Sequence, residues 1–345
     1  MKRPPRKKKI THTLLVDGDA ILKTSYYGAK NMYYNGHHIG GLYQFVTTLR
    51  KVINESIVDK VYVFWDGEFS GKLRYEVLPE YKANRGKNYE EGSVPQDLAL
   101  LLQKERVKLY LEELYIRQYQ DPVVESDDCI AYYCQHVKPN EKVVILTNDR
   151  DMCQLINDDV SVFFQDKKTK VTPKNFDKFF GYHYENALLM KVIQGDNSDN
   201  IKGVKGVKSK TIIKHIPEVL EQKVTLNEIF DKLEDIQSSR KTRLVALDNI
   251  IKGVTVGSQG KLLYKINTKI MDLSNPMLTR DCRKSLDELF DAPIDPDGRT
   301  NKNLLEMMSE DGIIDAIPGG YDGYLNYLMP FQNIIKQEKK LFLKS

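Results

Sequence analysis

The chain predicts a doubly wound α/β sheet, and three observations carry that expectation. Residues 13–16, 61–65 and 143–146 are short apolar runs rich in β-branched residues, the pattern of strands buried on both faces. Helical patterns separate them: one over residues 41–57, one over about 95–118 with Val107, Leu111 and Leu114 on a single face, and one from near Ser126 to before Pro139. Strands alternating with helices make parallel sheets covered on both sides. Each apolar run is also followed by an acid, at once or within three residues: Asp17, Asp66 and Asp149. Ligands of such sheets bind beyond the carboxyl ends of the strands, so these acids fall where chemistry belongs.

Residues 72–92 (KLRYEVLPEYKANRGKNYEEG) interrupt the rhythm with a polar, aromatic and basic stretch; a short helix is expected at 81–85 and a loose connection through Gly92. Val160–Phe164 reads as a further strand, turning at 166–169 into another at 170–172. After Asn186 the chain becomes helical and basic. From Val254 the pattern weakens, with Pro or Gly at 276, 293, 296, 318, 319 and 320.

The length, 345 residues with 41% hydrophobic content, supports a sizeable core. No run approaches the ~18 apolar residues that span a bilayer, and no apolar signal core follows the basic residues 1–9. Cys129, Cys134, Cys153 and Cys282 show neither CxxC spacing nor a dense framework. A cytoplasmic, reduced chain without a membrane anchor or zinc finger is therefore expected. Net charge is only +4, yet the charges are segregated. Six of the first nine residues are basic, and residues 202–215 (KGVKGVKSKTIIKH) carry five lysines and no acid. Acids gather instead at 125–128, 149–151 and 196–199. Bases in one region and carboxylates in another suit a protein that holds a polyanion and brings metal to it.

Glu125, Asp127 and Asp128 open a helix, where capping alone would explain acids. Capping does not explain why Asp149, Asp151, Asp196 and Asp199 gather near the same sheet edge. So many converging carboxylates repel one another unless cations are present, and oxygen donors with few histidines select Mg²⁺ or Mn²⁺ over zinc. Two such ions ~4 Å apart suit phosphodiester hydrolysis. Lys82 and Arg85, three apart on the expected turn, are candidates for the scissile phosphate.

The motifs VDGD (16–19), FWDG (64–67), LPEYKANR (78–85), VESDD (124–128), TNDRDMCQLI (147–156) and GDNSDNIKGVKGVKSKT (195–211) resemble, in order and spacing, the 5′-nuclease superfamily of flap endonucleases and 5′–3′ exonucleases, especially the stand-alone phage-type enzymes. The resemblance covers residues 12–253. It implies a PIN-like, mostly parallel sheet flanked by helices, with a helical arch, a helix–hairpin–helix-like DNA-binding element and a C-terminal extension. In those terms residues 1–11 are a basic tail, 12–185 the nuclease core with its arch at 86–104, 186–253 the helical DNA-binding region and 254–345 an extension.

Carried over residue by residue, it makes Asp17, Asp66, Glu125, Asp127 and Asp128 one metal site and Asp149, Asp151, Asp196 and Asp199 a second, each for Mg²⁺ with Mn²⁺ able to substitute. Lys82 and Arg85 match the pair on the scissile phosphate, Tyr81 a base-stacking residue and Arg74 a further phosphate contact. Lys202, Gly203, Lys205, Gly206, Lys208, Lys210 and Thr211 match the hairpin that grips duplex DNA and holds a monovalent cation. Two positions depart: Ser126 replaces the usual alanine, and Lys208 the hairpin's last glycine. Implied partners are DNA with 5′ flaps, nicks or ends, and RNA–DNA hybrids; a phage-borne enzyme would act in the host cytoplasm. Outside the resemblance, the C-terminal KQEKKLFLKS reads either as a dock for a replication protein or as a solvated helix. The rival enzyme is a haloacid-dehalogenase-type phosphatase, which also places two acids, as Asp17-Gly-Asp19, after its first strand. A DNA-binding scaffold with an idle centre and a single-domain ribonuclease are two further rivals.

Overall fold

The computed structural model describes residues 10–84, 96–256 and 258–344. Its centre is a six-stranded sheet: β1 (Thr11–Asp17), β2 (Lys60–Asp66), β3 (Arg117–Asp121), β4 (Glu141–Thr147), β5 (Val160–Phe164) and β6 (Thr169–Val171). The order is β3-β2-β1-β4-β5-β6, parallel except for the antiparallel β5–β6 pair. Register sets Val16 against both Val63 and Leu146, so the carboxyl ends of β1, β2 and β4 finish at one level.

Alternation along the strands divides the core in two. Leu14, Val16, Val63 and Trp65 face one side, with helices α1 (Gly18–Gly28), α2 (Gly40–Glu55) and α3 (Gln96–Glu113). Leu15, Tyr62, Phe64 and Ile145 face the other, with α4 (Ser126–Gln135) and α5 (Ala187–Gln194). This is the period-2 geometry of a sheet buried on both faces. Among the described residues, no helix is long and apolar enough to cross a membrane.

Three expectations are corrected. The helix expected to reach residue 118 stops at Glu113; Tyr115 takes φ +57, and residues 117–121 become edge strand β3. Its sequence, RQYQD, has the polar character of an edge, which hides the strand from a hydrophobicity reading. The turn at 81–84 is not helical, because Lys82 sits at φ +53; the short helix lies earlier, at Lys72–Tyr75. Beyond residue 254 the weak pattern conceals regular helices, among them Asn301–Glu310, Gly320–Leu328 and Gln332–Phe342. Leu304, Met308, Leu328, Phe331 and Ile334 complete the core face shared by α1–α3. Tyr327 meets Thr47 at 2.9 Å and accepts from Arg50 at 2.8 Å through its carbonyl, and Glu338 makes a buried ion pair with Arg117 of β3.

Residues 1–9 of the expected tail and 86–95 of the expected arch lie outside the described residues. The remaining arch positions, 96–104, form the first half of α3.

Candidate metal centre

Asp17 ends β1 and caps α1. One carboxylate oxygen accepts from the Ala20 N–H at 3.2 Å and the other from the Thr147 hydroxyl at 2.7 Å. Asp66 ends β2 and accepts from the Ser126 N–H at 2.8 Å, which joins it to the start of α4. Asp149 follows β4 and accepts from the Asp151 N–H at 2.7 Å. Asp127 projects from the first turn of α4.

Electrostatics show that these four face one another. Burial, with Asp66 and Asp149 adding to it, raises Asp17 to about 7 despite Thr147 and Ala20. Burial raises Asp127 well above the usual carboxylate range, with Asp149, Asp17, Glu125 and Asp66 contributing. Asp66 is raised by burial and by Asp19. Among the described residues, none of the four carries an ion pair.

The other acids are already engaged by cations. Glu125 pairs with Lys82 and, at 2.6 Å, with Arg74, and accepts from the Tyr81 hydroxyl at 3.0 Å. Burial would raise it, but Arg74 and Lys82 hold it below its ordinary value. Lys191 bridges Asp151 and Asp196, the latter at 2.8 Å. Burial and Asp149 push Asp151 up to about 6; Asp196, despite its burial, is drawn down to about 2 by Lys191 and Ser198. Asp199 accepts from the Tyr81 hydroxyl at 3.3 Å, and its carbonyl accepts from the Lys82 N–H at 2.8 Å.

Three of the residues carried over are buried and face protein groups. Asp128 is 0% exposed and points away from the cluster into a two-point pair with Arg74 at 2.5 and 3.1 Å; its Oδ1 also accepts from the Met277 N–H. Arg74, 5% exposed, spends its remaining donor on the Ile270 carbonyl, so it buttresses the site instead of meeting a phosphate. Tyr81 is 2% exposed, its hydroxyl on Glu125 and Asp199, and presents no free face to a base. We expect Arg74→Ala to lower stability by about 3–5 kcal/mol, because it strands Asp128 as a buried, unpaired charge and leaves Glu125 with Lys82 alone. Urea unfolding checks this; a loss below about 1 kcal/mol would show the pair to be idle.

Lys82 lies over the Tyr81 ring at 4.8 Å with its ammonium on Glu125, beside the four-acid cluster. Arg85 lies outside the described residues. In the segment that follows Asp196 and Asp199, Lys202, Lys205, Lys208 and Lys210 are exposed, Thr211 is half-buried, and the backbone turns at Gly206, φ +73. Gly203 approaches Gln194 so closely that a Cβ would stand 1.9 Å from its carbonyl oxygen. Lys208 adopts an extended φ of −129° ahead of helix Ser209–His215, so no left-handed strain attends its replacement of glycine.

Two functional side chains escape a reading of the sequence. Lys191 sits within the apolar run ALLMKVIQ, and Lys104 shares the stripe of Val107 and Leu111; a lysine on an apolar face is the signal available for each. Lys104 is 6% exposed and donates to both oxygens of Asp19, at 2.8 and 3.0 Å, and to the Asp66 carbonyl at 2.7 Å. Asp19 in turn accepts from the Asp66 N–H at 2.7 Å. Asp19 is thus committed to holding β2, and the paired acids a haloacid-dehalogenase phosphatase needs are not both at the centre.

Among the described residues, no three acids, histidines or cysteines close around a single point as they stand. The fit to metal rests on charge and donor type: four facing carboxylates with no ion pair among the described residues, offering only oxygen, match a hard divalent ion. Fold and site together define an α/β protein with a carboxylate-rich metal centre at the carboxyl edge of its parallel strands.

Comparison with known proteins agrees. Residues 12–181 match the family model of the 5′–3′ exonuclease N-terminal, resolvase-like domain. The chain is 26% identical over 286 residues to a 5′–3′ exonuclease of Buchnera aphidicola subsp. Schizaphis graminum, covering 80% of this chain and 94% of that one. It is 31% identical over 219 residues to the thermostable DNA polymerase I of Thermus filiformis, covering 63% of this chain but only 24% of the polymerase. The fold superposes with TM-score 0.59 on a bacteriophage T5 flap endonuclease solved with DNA and metal ions, at 18% identity over 95% of this chain and 99% of that one. Residues 12–181 are thus similar to the 5′–3′ exonuclease N-terminal, resolvase-like domain, and most of the chain is similar to a 5′–3′ exonuclease.

Proposed function

We infer that the protein is a divalent-metal-dependent nuclease that hydrolyses DNA phosphodiesters near 5′ ends, as a 5′–3′ exonuclease and structure-specific flap endonuclease of replication or repair in the cytoplasm. The observation that carries this is the cluster of Asp17, Asp66, Asp127 and Asp149, facing one another beside Lys82 without an ion pair among the described residues. Asp17, Asp66, Glu125 and Asp127 would hold one Mg²⁺, and Asp149, Asp151, Asp196 and Asp199 a second. Bound there, the ions supply an activated water and stabilise the leaving oxygen.

The chain's own groups do the rest. Tyr81 and Arg74 fix Glu125; Lys82, already at the cluster's edge, turns its ammonium to the scissile phosphate. The exposed lysines at 202–210 grip duplex phosphates through charge, with the turn at Gly206 bringing backbone close, and a monovalent cation would sit within 203–208. RNA–DNA hybrids offer the same scissile group. Leu341 and Leu343, exposed at the C-terminal end, form the surface where a replication partner would dock. Incubating the protein with a 5′-flap, a nicked duplex and an RNA–DNA hybrid tests the reading: cleavage at 5′ ends should require Mg²⁺, and inertness toward all three would sink it.

Proton linkage gives a second test. A carboxylate raised in the folded state binds its proton more tightly folded than unfolded, so stability falls as pH rises between the two values. For Asp17 that window runs from its ordinary 3.8 to about 7, and for Asp151 to about 6. Asp196, lowered to about 2, acts oppositely, but its contribution is complete above its ordinary 3.8. In EDTA the Tm should therefore fall between about pH 5 and about pH 8, and Mg²⁺ should restore more of it at the higher pH. An equal Mg²⁺ increment at both values would count against carboxylate binding.

A further inference from the structure

A cavity of about 600 Å³ opens beside Asp149, Asp151 and Asp196 and reaches Ser209. That volume is typical of ligand sites, ~300–1,000 Å³. Its opposite wall is aromatic. Phe176 is buried, with its ring stacked on Phe180 at 4.4 Å and edge-on to Tyr182 at 5.7 Å, so packing accounts for these three. Phe179 also lines the cavity, yet it is 45% exposed and makes none of those ring contacts.

The flanking chain is basic. Lys167, Lys168, Lys170, Lys174 and Lys178 are all exposed, and among the described residues none of them is ion-paired. Two hydrogen bonds fix this segment to the cavity. The Asp166 N–H donates to the Asn148 side chain at 2.9 Å, seating the lysine turn beside Asp149. Asn175 donates to the Lys170 carbonyl at 3.0 Å, joining the turn to the helix Phe176–Phe180 that carries Phe179. Asp149, Asp151 and Asp196 on the inner wall stand among Lys191 and Arg150 and belong to the ion site proposed above, whereas the lysines outside favour a phosphate chain passing the rim. The face left for a further group is that of Phe179, an exposed ring suited to an uncharged, planar partner.

We propose that this cavity is a nucleobase subsite, in which Phe179 stacks on an unpaired base next to the scissile phosphate while the turn at 167–170 holds the adjoining backbone. It deepens, and rests on, the nuclease reading above. Stacking on an aromatic ring tolerates every base, as an enzyme that recognises ends and not sequences requires.

The test is equilibrium binding of a fluorescent 5′-tailed duplex, by anisotropy, with Ca²⁺ replacing Mg²⁺. A series of DNAs carries one abasic residue at successive positions around the cleaved bond. At one position, base removal should weaken wild-type binding roughly 5- to 150-fold, the range for a single stacked base. Phe179→Ala should bind intact DNA as weakly as wild type binds that abasic DNA, and should ignore the abasic change; Phe179→Trp should restore both. Combined Lys167→Ala, Lys168→Ala and Lys170→Ala should flatten the logarithmic salt slope by roughly 0.7–0.9 for each phosphate no longer neutralised. The proposal is overturned if wild type shows no position-specific penalty, or if Phe179→Ala keeps it. Because binding is read apart from cleavage, failure of the nuclease reading would show separately, as wild type leaving the same DNA uncut in Mg²⁺.

Discussion

Asp149→Ala is expected to abolish Mg²⁺-dependent cleavage while DNA is still bound. Asp149 is the carboxylate common to both acid groups: it raises Asp17 and Asp127 on one side and Asp151 on the other. Its removal therefore weakens both of the proposed ion sites, and cleavage by the proposed route cannot proceed without them. In the proposed reading the grip on DNA comes from other side chains, the exposed lysines at 202–210. Without metal the same change should be stabilising near neutral pH, because it removes a negative charge that repels Asp17, Asp127 and Asp151. Loss of activity with higher Tm in EDTA is a pairing that misfolding cannot imitate. Substantial residual cleavage would falsify the metal assignment.

Lys82→Ala should slow single-turnover cleavage by ~10²–10³, the cost of losing a comparable charge-stabilising donor, with little change in DNA affinity. The ammonium is held over Tyr81 and against Glu125 at the edge of the cluster, so it is placed before substrate arrives. Arg74 remains on Glu125 in the variant, which keeps that carboxylate paired. Lys82→Arg should recover part of the rate. Equal losses in affinity and none in the chemical step would reduce Lys82 to one more surface charge.

The positions of Asp17, Asp66 and Asp149 are legible because apolar runs ending in an acid report both a buried parallel strand and its active end. Direction is not legible. Asp127 and Asp128 are neighbours in one helical turn, yet one faces the cluster and the other faces Arg74. That distinction depends on Met277 and Ile270, roughly 150 residues further along the chain from the helix, and so on tertiary packing. Tyr81 and Arg74 mislead for the same reason: polar residues near a site look like ligand contacts until burial shows what they serve. Strand β3 escapes because an edge strand can be polar, and the C-terminal helices because Pro and Gly between them blur their periodicity.

Those helices bear on how the protein is made. Phe331, Ile334 and Leu328 lie in the same core face as Leu14 and Val16, and Thr47 contacts Tyr327 across 280 residues of chain. Synthesis proceeds from the N-terminus at roughly 5–20 residues per second. For a chain of this length, β1 and its acids must therefore wait many seconds before the segments that seal them emerge from the ribosome. Until then the core shared by α1–α3 lacks its closing helices, and contacts of such long range close slowly. The newborn chain thus carries its acidic motifs well before residues 301–342 arrive to complete the packing behind them.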